Sequence, residues 1–181
     1  MKALKKICTA LMLLAFAFVF ASCSSDSDDD DQSITLSDGS YTLAITKTSD
    51  SDGMVEKYDI KATASNGSWT FNSGSKTKTV DLTTQMKTDE LTEFKAMNED
   101  EKKAKVKAEM KLSDDAEISF AGNKVIAKTT LSAAELTEMQ ENYQLSSIPS
   151  DAKIETITEK TEYEITMSGK DGTIVFHVNK D

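Results

Sequence analysis

The sequence contains no arginine, one histidine (His177), one proline (Pro149) and two cysteines (Cys8 and Cys23). Without arginine there is no planar fork to clamp phosphate or carboxylate in bidentate fashion. The formal net charge is −10, so the chain is repelled by phosphate backbones, and nucleic acid is excluded as a partner. A serine nucleophile needs a histidine base and an oriented third group. Here there is no G-x-S-x-G elbow, and His177 falls on the outward side of the last predicted strand, which reads as a surface position. One histidine and two cysteines, Cys8 within an apolar leader, leave mainly carboxylates for a zinc ion. No catalytic residue, metal or cofactor is therefore expected, and the chain reads as a non-enzyme. Its thirty-one acids guarantee chance carboxylate pairs, so their abundance does not argue for glycosidase chemistry.

The first thirty residues form an address. Lys2, Lys5 and Lys6 precede an apolar run from Ile7 to Ala21, interrupted only by Thr9. A basic start followed by an apolar stretch of that length is a secretory signal. As a helix the run reaches roughly 22 Å, short of a hydrocarbon core of about 30 Å, so a permanent span is not expected. It ends in Phe20-Ala21-Ser22-Cys23, and Ser24-Ser25-Asp26-Ser27-Asp28-Asp29-Asp30-Asp31 follows.

Small residues before a cysteine resemble the bacterial lipobox, although the family more often carries Leu where Phe20 stands. That resemblance implies cleavage before Cys23 and lipidation of its sulfur, which leaves the mature chain without a thiol or disulfide. The acidic run resembles the export stretch of surface-exposed lipoproteins of the Bacteroidota, with Ser27, Asp28, Asp29, Asp30 and Asp31 as the signal. It implies an outer-membrane protein, lipid-anchored and facing the cell exterior. As plain chemistry, a block of like charges is a solvated tether, and such a flexible acidic run offers calcium no preformed cage. The expected division is a signal peptide over 1–22, a lipidated tether over 23–33 and a single β-rich domain over 34–181.

That domain alternates with period two, the mark of half-buried strands. Tyr41, Leu43 and Ile45 share one face. After the turn cluster 49–53, Tyr58, Ile60 and Ala62 share another, which together make a hairpin. Asp50, Asp52 and Gly53 match part of a calcium loop, but Thr48 and Asp59 stand where it needs its first aspartate and closing glutamate, so the turn reading is preferred. Asn66-Gly67 predicts a tight turn into Trp69-Thr70-Phe71, and Ser73-Gly74-Ser75 separates that segment from a strand over 78–82. Leu91, Phe94 and Met97 predict a short helix over 88–97. Between 103 and 112, Ala104, Val106, Ala108, Met110 and Leu112 alternate strictly with charged residues; propensity favours helix, but the pattern favours strand, and strand is the expectation. Ile118 and Phe120 should pair with Val125 and Ala127 across Gly122-Asn123. Ser132 and Glu135 form a capping box, with Leu131 and Leu136 placed as its staple, so a helix runs from there and stops before Pro149. Strands are expected over 154–158, 163–167 and 173–178.

The predicted class is mainly β: an antiparallel meander with about two short helices, closed as a lipocalin-like barrel or a β-sandwich. The length and the helix before the closing strands resemble lipocalin-like domains of lipoproteins, without a diagnostic motif. The expected function is a non-enzymatic surface binding module for a small apolar ligand or a glycan, lined by Tyr58, Trp69, Phe120 and Phe176. The alternative is an accessory lipoprotein that docks to an outer-membrane protein complex. In either case the membrane is met only through the lipid on Cys23.

Overall fold

The computed structural model describes residues 34–143, 148, 151–158, 162–169 and 172–181. The signal segment, Cys23, the acidic run with Ser27 and Asp28 to Asp31, and Pro149 lie outside the described residues. In chain order the elements are β1 (Gly39–Ser49), β2 (Val55–Ser65), β3 (Ser68–Asp81), α1 (Leu82–Gln85), α2 (Thr88–Ala96), α3 (Glu99–Met110), β4 (Glu117–Ala121), β5 (Lys124–Thr130), α4 (Ala133–Asn142), β6 (Lys153–Thr158), β7 (Glu162–Gly169) and β8 (Gly172–Lys180). The eight strands form one antiparallel sheet in the order β4-β5-β3-β2-β1-β8-β7-β6, so the mainly β expectation holds. The order is linear, with β4 and β6 at its two ends. Within the stretch read as one domain there are two compact units: residues 79–129, and residues 34–78 with 130–181.

In the larger unit, the alternation seen in the sequence determines which face is buried. β1 pairs with β2 on one side and β8 on the other, setting Leu43 opposite Ile60 and Val178, and Ile45 opposite Tyr58 and Phe176. Leu43, Ile45, Ile60 and Val178 are completely buried, each contributing roughly 1.5–3 kcal/mol through burial of apolar area. β7 adds Tyr163 and Ile165 to the same face through its register with β8. The opposite parity of β2 (Lys57, Asp59, Lys61, Thr63) is exposed.

β3 is one continuous strand, where the sequence predicts two segments split at Ser73-Gly74-Ser75 and a strand reaching Leu82. Gly74 explains the continuity. A Cβ at that position would lie 2.9 Å from the Asp59 carbonyl oxygen and 3.0 Å from Leu131 Cδ1, and the Gly74 carbonyl accepts from Leu131 N–H at 2.9 Å. The glycine therefore marks a close approach inside the strand instead of a break. The buried parity also changes along β3, from odd numbers at Trp69 and Phe71 to even at Val80. That shift amounts to one extra residue along the strand, the mark of a bulge.

α4 begins as the capping box predicts. The Ser132 side chain accepts from Glu135 N–H at 3.3 Å, and Glu135 Oε2 accepts from Ser132 N–H at 2.8 Å, while Leu136 and Met139 are buried. Ser132→Ala is expected to cost about 1 kcal/mol, read as a lower urea midpoint with unchanged slope.

The unit of residues 79–129 has its own core of Leu82, Met86, Phe94, Val106 and Val125, with Leu91, Met97, Met110, Leu112, Ile118 and Phe120 packed against it. The β4–β5 hairpin forms as expected, pairing Phe120 with Val125 and Ile118 with Ala127. The strand expected over 103–112 is corrected: residues 99–110 are helix α3. Asn98 Oδ1 accepts from Glu101 N–H at 2.9 Å, and Glu101 Oε2 accepts from Asn98 N–H at 3.0 Å. Glu99 pairs with Lys103 one turn on at 2.6 Å, and Lys111 closes the helix at φ 50°. The alternation misled because Ala104 and Ala108 are exposed and only Val106 is fully buried. Small side chains add little to a sheet face, so capping and the helix propensity of Ala, Lys and Glu decide. Helices number four among the described residues against the two expected, since α3 replaces the expected strand and α1 is an added single turn capped by Asp81.

Candidate functional site

The expected ligand-lining residues occupy separate packing arrangements. Trp69 packs edge-on against Phe71 with ring centroids 5.0 Å apart, and its buried Nε1 has no hydrogen-bond partner among the described residues. Phe176 packs on Tyr143 in the same manner at 5.0 Å. Phe120 belongs to the core of residues 79–129, against Phe94 at 6.0 Å. That core holds a cavity of about 20 Å³ lined by Val80, Leu82, Met86, Phe94, Val106, Glu109, Met110 and Val125, which is room for about one water molecule. Tyr58 has a polar setting, and a cluster of charges surrounds it.

That cluster arises where strand parity carries charged residues onto the buried face. On β1 the face of Tyr41, Leu43 and Ile45 continues to Lys47, and on β2 the face of Tyr58 and Ile60 continues back to Glu56. The register sets Lys47 opposite Glu56. After the phase change in β3, Lys76 and Lys78 share the parity of Val80. Lys78 Nζ lies 2.8 Å and Lys76 Nζ 3.4 Å from Glu56 Oε1. The other carboxylate oxygen, Oε2, accepts from the Tyr58 hydroxyl at 2.8 Å. Lys47 and Lys76 each sit 5.2 Å from the centroid of the Tyr58 ring, and Lys47 is also 5.1 Å from that of Tyr143. These are cation–π distances.

Glu56 is only 5% exposed. Burial pushes its carboxyl up, but the charges of Lys76 and Lys78, with hydrogen bonds from Lys78 and Tyr58, outweigh it and hold the pKa at about 2. Burial lowers the Lys76 ammonium to about 8; Lys78 and Lys47 push the same way, against the pull of Glu56. Burial and the adjacent Glu56 charge keep the Tyr58 phenol neutral, its pKa raised well above the ordinary value. The arrangement is a fixed carboxylate flanked by three cations and a hydroxyl, suited to electrostatic binding.

Lys47 and Glu56 were legible as charged residues on inward parity. Lys76 and Lys78 were not, because their face depends on the phase change. His177 stands on the other parity of β8, with Nδ1 3.7 Å from Glu164 Oε2. Asp52 belongs to the β1–β2 turn, where its carboxylate accepts from Met54 N–H at 3.1 Å. Among the described residues no three His, Cys, Asp or Glu side chains are grouped to hold a metal ion, and no helix is long and apolar enough to cross a membrane. Comparison with protein-family models, with curated proteins and with solved structures finds no match.

Proposed function

We propose that this chain is a lipoprotein of the outer membrane, anchored by lipid on Cys23 and facing the cell exterior, and that its β-rich part is a non-enzymatic binding module. The address rests on the basic start, the apolar run, the cysteine and the acidic stretch behind it. The binding role rests on one observation: Lys47, Lys76 and Lys78 gathered with Glu56 and Tyr58 on a buried sheet face. Buried ionic groups commonly cost stability relative to apolar packing. Retaining the buried Glu56 with three half-buried lysines favours a role in recognition. Their charge favours a polar, anionic ligand or glycan over an apolar one. Metabolic labelling with an alkyne palmitate analogue tests the address. The full chain is expected to take up label in a bacterial host and Cys23→Ser to take up none; label retained by the variant would overturn the anchor.

A second reading, an accessory lipoprotein docking to an outer-membrane complex, draws on Ile157. This large hydrophobic residue is 51% exposed on β6, the strand at one end of the sheet order. An edge strand with an exposed apolar side chain offers a partner both backbone pairing and a contact.

A further inference from the structure

We propose that Lys47, Lys76 and Lys78 form a subsite for a dianionic oxyanion, the sulfate or phosphate group of a small ligand. This deepens the binding-module reading and rests on it. Lys76 and Lys78 share the Glu56 carboxylate and Lys47 sits against the same Tyr58 ring; the Glu135 charge also acts on Tyr58, and a positive surplus remains in a chain whose net charge is −10. Glu56 Oε1 accepts both Lys76 and Lys78, and Oε2 is taken by Tyr58, so the carboxylate has little left to offer. Each ammonium has three donors. Lys47 finds no anionic partner among the described residues and meets only the faces of Tyr58 and Tyr143.

Holding like charges together on a buried face is unfavourable unless an anion joins them. Burial is the main cause of the lowered Lys76 ammonium, and the charges of Lys78 and Lys47 push the same way against Glu56. Lysine suits the task without an arginine fork, because it binds tetrahedral oxyanions as a point charge from several directions. The lysines are partly accessible, with 21% of the Lys76 side chain and 15% of the Lys78 side chain exposed. An anion can therefore reach them while their surroundings weaken screening by salt.

The test is a heteronuclear NMR titration of the full chain near neutral pH with inorganic sulfate, inorganic phosphate and glucuronate. Ionic strength is held constant with chloride, and a panel of neutral sugars is run in parallel. Sulfate and phosphate are expected to give saturable shifts at Lys47, Lys76 and Lys78, with Kd of about 1 mM or tighter. Lys47→Met keeps an apolar stem between the tyrosines and disturbs no ion pair with Glu56. It is expected to weaken binding about tenfold, while Lys47→Arg restores it. Linear, non-saturating shifts, shifts centred on exposed lysines such as Lys57 and Lys61, or binding indifferent to Lys47→Met would overturn the subsite. Tighter binding of glucuronate than of both dianions would overturn the choice of a dianion. If neutral sugars bind while the anions do not, the oxyanion subsite falls and the binding module stands; if no probe binds, both fall.

Discussion

Gly172→Ala is expected to destabilise the protein by about 3–5 kcal/mol, near the top of what single substitutions do. Gly172 opens β8, opposite Ser49 of β1 and Gly169 of β7, at φ 152°. A Cβ there would press into the Thr48 carbonyl oxygen, with the Thr48 carbonyl carbon 3.0 Å and Ser49 Cα 3.2 Å away. All three atoms are backbone, so no side chain can rotate aside, and β1 or β8 must shift. β8 and β1 carry Phe176, Val178, Leu43 and Ile45, so the shift would loosen the most buried face of the molecule. Gly67→Ala provides the comparison. Gly67 also has a left-handed backbone, at φ 76°, but a Cβ there meets nothing within 4 Å. Its cost should be limited to conformational strain of about 1 kcal/mol. Urea unfolding of the two variants separates the effects, and equal losses would remove the steric account of Gly172.

Glu56→Gln should cost about 3 kcal/mol, because it leaves the half-buried Lys76 and Lys78 beside a neutral group. The same pairing makes stability depend on pH. The folded-state pKa of Glu56 is held at about 2, below its ordinary value of 4.5. Its contribution is thus fully present above about pH 4.5 and is lost as pH falls toward 2. That difference corresponds to roughly 3 kcal/mol. Lys76 acts in the other direction. Its folded pKa is lowered from 10.5 to about 8, so the unfolded chain binds more protons between those values and stability rises with pH across that window. Unfolding followed from pH 2 to 10 should show the acid loss in the parent and its absence in Glu56→Gln. An unchanged acid limb in the variant would mean that other carboxylates carry it. Adding Lys78→Met to Glu56→Gln should recover part of the loss by removing one stranded cation.

The fold was readable where a large side chain sits at every second position. Tyr41, Leu43 and Ile45, or Ile174, Phe176 and Val178, admit only one buried face, and the Ser132–Glu135 box announced its helix. The signal weakened where the alternating residue was alanine. Between 103 and 112 the burial is too small for pattern to overrule capping, and Asn98 with Glu101 settled the segment as helix. The candidate site was half legible for a related reason. Lys47 and Glu56 break a run of inward apolar residues on strands whose phase is fixed. Lys76 and Lys78 lie beyond Gly74, and nothing local indicates that the chain slips by one residue there. Tyr58, picked out for its ring as part of an apolar lining, is held by its hydroxyl to Glu56.

The slip in β3 works as a spelling rule for the site. Two lysines meet Glu56 because an odd number of extra steps separates them from Trp69 and Phe71; the length of the strand matters as much as the letters in it. A related chain that kept all three lysines but dropped one residue between Phe71 and Lys76 would point two of them at solvent and leave the carboxylate with neither. Substitutions could wear the cluster down gradually, but a single-codon deletion would abolish it at once. Among relatives, the spacing between Trp69 and Lys76 is therefore a better guide to a shared site than the count of matching lysines.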